Sequence, residues 1–112
     1  KRVITIKGKG IMKNNSRILR ADLLKISFND QNELETITGE KNVRFVNEGI
    51  QGTSKKVNWK YPEEMMIFSG SAQIKSQSKG LTKSKQLKLD LHNNKITILS
   101  DPSKRSETVI QQ

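Results

Sequence analysis

The sequence predicts an all-β protein, an antiparallel jelly roll or folded-over sheet of about ten or eleven short strands. Three observations predict it. Three runs alternate strictly between apolar and polar residues: Leu24-Lys25-Ile26-Ser27-Phe28, Val57-Asn58-Trp59-Lys60-Tyr61 and Leu87-Lys88-Leu89-Asp90-Leu91. Each is followed by turn-forming residues, Asn29-Asp30-Gln31-Asn32, Pro62-Glu63-Glu64 and His92-Asn93-Asn94. The same plan returns at intervals of about 31 residues along the chain.

Taken in order, the repeat is marked by Ile6-x-Gly8, Ile37-x-Gly39 and Phe68-x-Gly70, spaced by 31, and by Ile98-x-Ser100 after a further 30. Ile26 to Val57 and Phe28 to Trp59 are 31 apart, while Val57 to Leu87, Trp59 to Leu89, Tyr61 to Leu91 and Met66 to Ile96 are 30 apart. A single deletion between the second and third copies accounts for the change. Met12, Val43 and Ile74, four residues past each Gly, complete the unit. On this alignment Asp30 stands where Tyr61 and Leu91 stand in later copies.

Within a unit, successive strand side chains point to opposite faces, so each alternating run places three apolar groups on one side. Asn and Asp tolerate left-handed backbone and Pro presets a turn dihedral, which closes each hairpin. A return strand then ends at the Gly, which reads as a bulge or sharp bend. A short strand and a polar loop follow, over 42–49 in one copy and 71–80 in the next. Arg17–Ile26 carries apolar residues at 18, 19, 21, 23, 24 and 26 and admits a helix, but its repeat counterparts are strand-like, so it reads as strand. The tail after Asp101-Pro102 is polar until Thr108-Val109-Ile110, either a last edge strand or a frayed end. Layers repeated so regularly suggest stacking along one axis, with unpaired strand edges at the first and last layers.

Composition sets the class of function. The 112 residues are read as one domain, residues 1–112, with 32% apolar and 29% charged residues and a net charge of +10. Many strands therefore have one wet face. The charge points equally to an anionic partner, whether nucleic acid, a phosphorylated lipid or an acidic membrane surface, and to the plain reading of a solvated lysine-rich surface. There is no Cys and one histidine, His92 in a turn, so neither a thiolate or histidine metal centre nor a catalytic triad can be assembled. Glu63-Glu64 and Asp30 with Glu33 and Glu35 lie in turns, where charges keep hairpin ends soluble. Gly8-Lys9-Gly10 lacks the remainder of a phosphate loop. No catalytic residue, metal or cofactor is expected. No run of about 18 apolar residues exists to span a bilayer as a helix. The chain begins at Lys1 rather than Met, from which a missing signal peptide or membrane anchor is expected.

Three readings of function remain from the residues. A basic β-sheet module that binds nucleic acid would need aromatics beside cations on an exposed face, whereas Phe28 and Trp59 fall in apolar columns with Leu89. A β fold with two apolar faces can admit acyl chains between them, with lysines around the mouth meeting head-group phosphates. A simply packed core, serving a structural spacer without ligand, explains the same alternation.

The succession A-D-L-L-K-I-S-F (21–28), I-T-G-E-K-N-V-R-F (37–45), V-N-W-K-Y-P-E-E-M-M-I-F-S-G-S-A-Q-I (57–74) and L-D-L-H-N-N-K-I-T-I (89–98) resembles the OstA-like family of the lipopolysaccharide transport proteins LptA and LptC. The resemblance runs from about Val3 to Asp101. It implies a non-enzymatic, periplasmic β-jellyroll open along one side, whose apolar groove shields lipid A acyl chains in transit. It also implies edge-to-edge joining of jellyrolls into a bridge between membranes. Carried onto this chain, the groove is lined by Ile6, Ile26, Phe28, Ile37, Val57, Trp59, Phe68, Leu87, Leu89 and Ile98. The implied partners are lipopolysaccharide or a related amphiphilic lipid, other jellyroll proteins of the same transport system through the terminal strand edges, and further copies of this chain head to tail. Nucleic acid is not expected.

Overall fold

The computed structural model describes residues 2–99. The tail after Pro102 and the fourth repeat's Ser100 lie outside the described residues. Seven strands follow one another: β1 (Arg2–Asn14), β2 (Arg17–Phe28), β3 (Leu34–Asn47), β4 (Ile50–Lys60), β5 (Met65–Ser76), β6 (Gly80–Asp90) and β7 (Lys95–Leu99). They form one sheet in the order of the chain, each strand antiparallel to the next. The all-β fold is as the sequence predicts, and Arg17–Phe28 is strand rather than helix. The strands are fewer and longer than expected because each expected break is a bulge within a strand and not its end.

Those bulges decide the shape. Pairing is interrupted between Lys7 and Gly10 in β1, Arg20 and Leu23 in β2, Glu40 and Val43 in β3, Thr53 and Lys56 in β4, and Ser69 and Ala72 in β5. The interruptions lie side by side and draw a single line across the sheet. Left-handed backbone collects on that line, at Gly8 (φ 86°), Lys41 (φ 67°), Asn42 (φ 53°), Gly70 (φ 82°) and Ser71 (φ 50°). An extra residue bends a strand and increases its twist, so a row of them folds the whole sheet.

The ring contacts show how far it folds. Trp59 pairs with Ile37, and Phe45 lies eight residues further along β3. A straight strand would hold them about 26 Å apart. Their ring centroids are 5.9 Å apart in an edge-to-face contact, and Phe45 also meets Phe68 at 6.2 Å. The sheet is thus doubled over into two facing walls. The first wall ends at the turns over 29–33, 61–64 and 91–94, the second at those over 15–16, 48–49 and 77–79. Gly52 allows this closure, since a Cβ there would sit 3.1 Å from the Phe68 ring of the opposite wall.

The register also corrects the repeat. Ile6, Leu24, Gly39, Val57, Phe68, Leu87 and Ile98 stand side by side, and the next row is Ile4, Ile26, Ile37, Trp59, Met66, Leu89 and Ile96. The first copy is therefore offset from the second by 33 residues, not 31, and Ile26 matches Trp59 rather than Val57. Phe28, not Asp30, then takes the place of Tyr61 and Leu91, so the first layer lacks nothing. Gly39 falls before the bend and belongs to the interior, where a Cβ would meet Val57 at 3.1 Å and Ala21 at 3.2 Å.

Phe45 is fully buried between two rings of the facing wall, whereas Ile4 is exposed on the β1 edge. Phe45→Ala is expected to lower unfolding free energy by about 3–5 kcal/mol, and Ile4→Ala by less than about 1 kcal/mol, as measured by urea denaturation.

Candidate functional site

The ten residues expected to line a groove all fall on the inward face of the first wall. Ile37, Val57, Trp59, Phe68, Leu87, Leu89 and Ile26 are buried, while Ile6, Phe28 and Ile98 are half-buried and pack against them. Period-two alternation puts them there, since inward side chains are separated by one outward residue along the strand. They account for one side of the interior only. The opposing side is built by Met12, Leu19, Val43, Phe45 and Ile74 on the second wall, with Ala21 and Ala72 near the bend. Leu19 and Phe45 are absent from the expected set. Val43-Arg44-Phe45 carries the same alternation as the recognised runs, a signal present in the sequence but short.

In the central strands the walls are in contact, and Trp59, Phe68, Phe45 and Leu24 have no exposure. At the β1 edge the rows run into solvent: Ile4 is exposed, and Ile6 and Met12 are half-buried. Ile96 and Ile98 emerge similarly at β7. The interior is thus an apolar slab, closed in the middle and open at both ends. Two buried polar atoms, Trp59 Nε1 and Ser84 Oγ, have no hydrogen-bond partner among the described residues, and Trp59 Nε1 belongs to the aromatic centre of the slab. A buried donor without an acceptor is costly.

Along the side opposite the bend, the turns of the two walls meet as two lips. Asn14 donates its side-chain amide to the Tyr61 hydroxyl. Arg17 Nη2 lies 2.9 Å from Glu64 Oε1, and His92 Nδ1 lies 3.5 Å from Glu64 Oε2. Lys79 Nζ donates to the Asn94 carbonyl at 3.0 Å. Between the lips lies a polar cleft of about 650 Å³, lined by Asn14, Ser16, Arg17, Asn47, Tyr61 and Glu64 among others.

Carboxylates are concentrated on one side of this mouth. The first wall's lip carries Asp30, Glu33, Glu35, Glu63, Glu64 and Asp90, six of the 11 carboxylates in the chain, beside Arg2, Lys60 and Lys95. The second wall's lip carries Lys13, Arg17, Lys75 and Lys79 with Glu48. Lysines therefore stand on both lips, and carboxylates outnumber cations only on the first. Burial pushes the Asp90 carboxyl up, but the N–H groups of Asn93 and His92 outweigh it and hold it below the usual carboxylate range. It accepts from His92 N at 2.9 Å and so pins the last turn. The described residues contain no cluster of three or more His, Cys, Asp or Glu able to hold a metal ion.

Comparisons with known proteins fit this geometry. A comparison with curated proteins finds no match by sequence. Among solved structures, LptH is described as the LptA-homologous periplasmic component of the conserved lipopolysaccharide transport device from Pseudomonas aeruginosa. It superposes with a TM-score of 0.84 over 98% of this chain and 85% of that chain, at 10% sequence identity, a likeness of fold. A family model described as LptA/(LptD N-terminal domain) LPS transport protein matches residues 1–100. The chain belongs to this family of lipopolysaccharide transport proteins.

Proposed function

We propose that this protein is a non-catalytic periplasmic carrier whose two walls part to take the acyl chains of lipopolysaccharide, or of a related amphiphilic lipid, between them. The observation that carries the reading is the continuity of the apolar rows. They run through all seven strands and emerge at both edges, as a track for hydrocarbon would. Ile6, Ile26, Phe28, Ile37, Val57, Trp59, Phe68, Leu87, Leu89 and Ile98 form one side of that track, and Leu19, Phe45 and Ile74 the other.

Opening is physically plausible because the lips are held by few polar contacts. The Arg17–Glu64 pair is partly solvated, and such pairs contribute about 1 kcal/mol or less. Separating the walls exposes apolar surface, and each inserted methylene returns roughly 0.8 kcal/mol. An amphiphile with several long chains offsets the loss; a short solute does not. The unpartnered Trp59 indole N–H supplies one donor for an ester, amide or hydroxyl oxygen of such a lipid. All five aromatics face or pack against the interior, which leaves no stacking platform for a nucleic-acid reading.

The bridge follows from the edges. β1, 13 residues long, is an edge strand without a second partner among the described residues, with Val3 and Ile4 exposed beside it, and such an edge templates pairing with another chain. Pairing of β1 with the terminal edge of another copy, or of another jellyroll protein of the transport system, makes the interior rows continuous between them.

Two outcomes follow. A photoreactive residue at Phe68 is expected to crosslink lipopolysaccharide, with a concurrent change in Trp59 emission; absence of both, at lipid concentrations that saturate a known carrier, rejects the reading. The protein is also expected to gain mass with concentration in analytical ultracentrifugation, and the Val3→Lys/Ile4→Lys variant to remain monomeric with unchanged circular dichroism.

A further inference from the structure

The outward face of the second wall differs from the rest of the surface. Two adjacent rows cross it, with one residue from each of β1 to β6. The first is Ile11, Arg20, Arg44, Thr53, Gln73 and Lys83, and the second is Lys13, Ile18, Val46, Gln51, Lys75 and Leu81. Five of these positions are cations, four are aliphatic and none is a carboxylate, and all are exposed or half-exposed. Ile11 is 55% exposed and Val46 44%. The outward face of the first wall, by contrast, sets Glu40 and Asp90 among its lysines.

Arg20 and Arg44 stand directly opposite each other in the ladder. Like charges in that position destabilise a sheet, and neither guanidinium has an ion-pair partner among the described residues. They flank a shallow cleft of about 410 Å³ whose other walls include Ile18, Val46, Gln51 and Thr53. The surface therefore offers, in one plane, unneutralised forked donors and exposed aliphatic groups.

A nucleic acid would satisfy the donors but not the aliphatic groups, and the rings that would stack on bases are interior. A lipid bilayer with anionic head groups satisfies both. We propose that the outward face of the second wall docks on an anionic phospholipid bilayer. Arg20, Arg44, Lys13, Lys75 and Lys83 meet head-group phosphates, while Ile11, Ile18 and Val46 enter the interfacial layer. Docking uses the face of the second wall opposite to the one that lines the interior, so it goes beyond the carrier reading and can fail separately from it.

The test is co-sedimentation of the full chain with vesicles of phosphatidylcholine alone, or with about a quarter phosphatidylglycerol. Binding is expected only to the anionic vesicles, weakening as salt rises. Arg20→Gln/Arg44→Gln is expected to weaken it about thirtyfold, at roughly fivefold per basic residue. Lys25→Gln/Lys88→Gln, on the outward face of the first wall, removes the same charge and is expected to change binding by no more than about threefold. Ile11→Ser/Val46→Ser is expected to abolish the binding that survives at high salt. Circular dichroism and thermal midpoints of the variants establish that they fold, and crosslinking of lipopolysaccharide at Phe68 should persist in the arginine variant. Equal losses in the two charge variants, equal binding to both vesicle types, or binding to a single-stranded oligonucleotide with no binding to vesicles would each overturn the proposal.

Discussion

Among the described residues, one sheet with one apolar face has no second layer to cover it. There is no helix among the described elements, and the strands run in sequence order without a crossover that could bring a second layer over the first. Burial of that face is the main favourable term available, and among the described residues its cover is the other half of the same sheet. The line of bulges is what makes this cover reachable, and every other feature follows from it. Bending at one line brings Phe45 onto Trp59 and Phe68, sets two rows of turns lip to lip, and leaves the apolar slab unsealed at β1 and β7.

The same constraint accounts for the charge distribution. Every strand has a wet outward face, so a chain with 32% apolar residues still fills its interior. Cations accumulate along the bend and on the outward side of the second wall, and carboxylates on the first wall's turns. The lips therefore attract one another across the mouth through Arg17 and Glu64. That attraction is weak beside the hydrophobic contact behind it, which suits a seal that has to yield to a bulky amphiphile.

Much of this was legible in the sequence, and the remainder was hidden for physical reasons. Alternation in Leu24–Phe28, Val57–Tyr61 and Leu87–Leu91 identified the first wall, since side-chain direction along a strand depends only on parity. Glycine marked the bends at Gly8 and Gly70 because positive φ is cheapest there. At β3 the positive φ falls on Lys41 and Asn42 instead, so reading Gly39 as the bend displaced the first copy by one alternation. Parity is preserved by a slip of two, which is why the apolar face was found correctly while the register was not. The second wall was less visible because its partner, Leu19 against Phe45 and Gly52, interrupts the apolar row with a glycine needed to admit Phe68. Which lip a lysine belongs to depends on the fold line, and no local pattern encodes it.

The central claim is that the walls separate to admit lipid. It is tested most directly by pulsed electron spin resonance between labels on the opposing lips, at Asn15→Cys and Glu63→Cys, with and without lipopolysaccharide. An inserted hydrocarbon layer should lengthen the mean distance by about 4 Å or more, the contact thickness of one chain. Saturating lipid with an unchanged distance distribution would contradict the account and place any bound lipid outside the folded sheet.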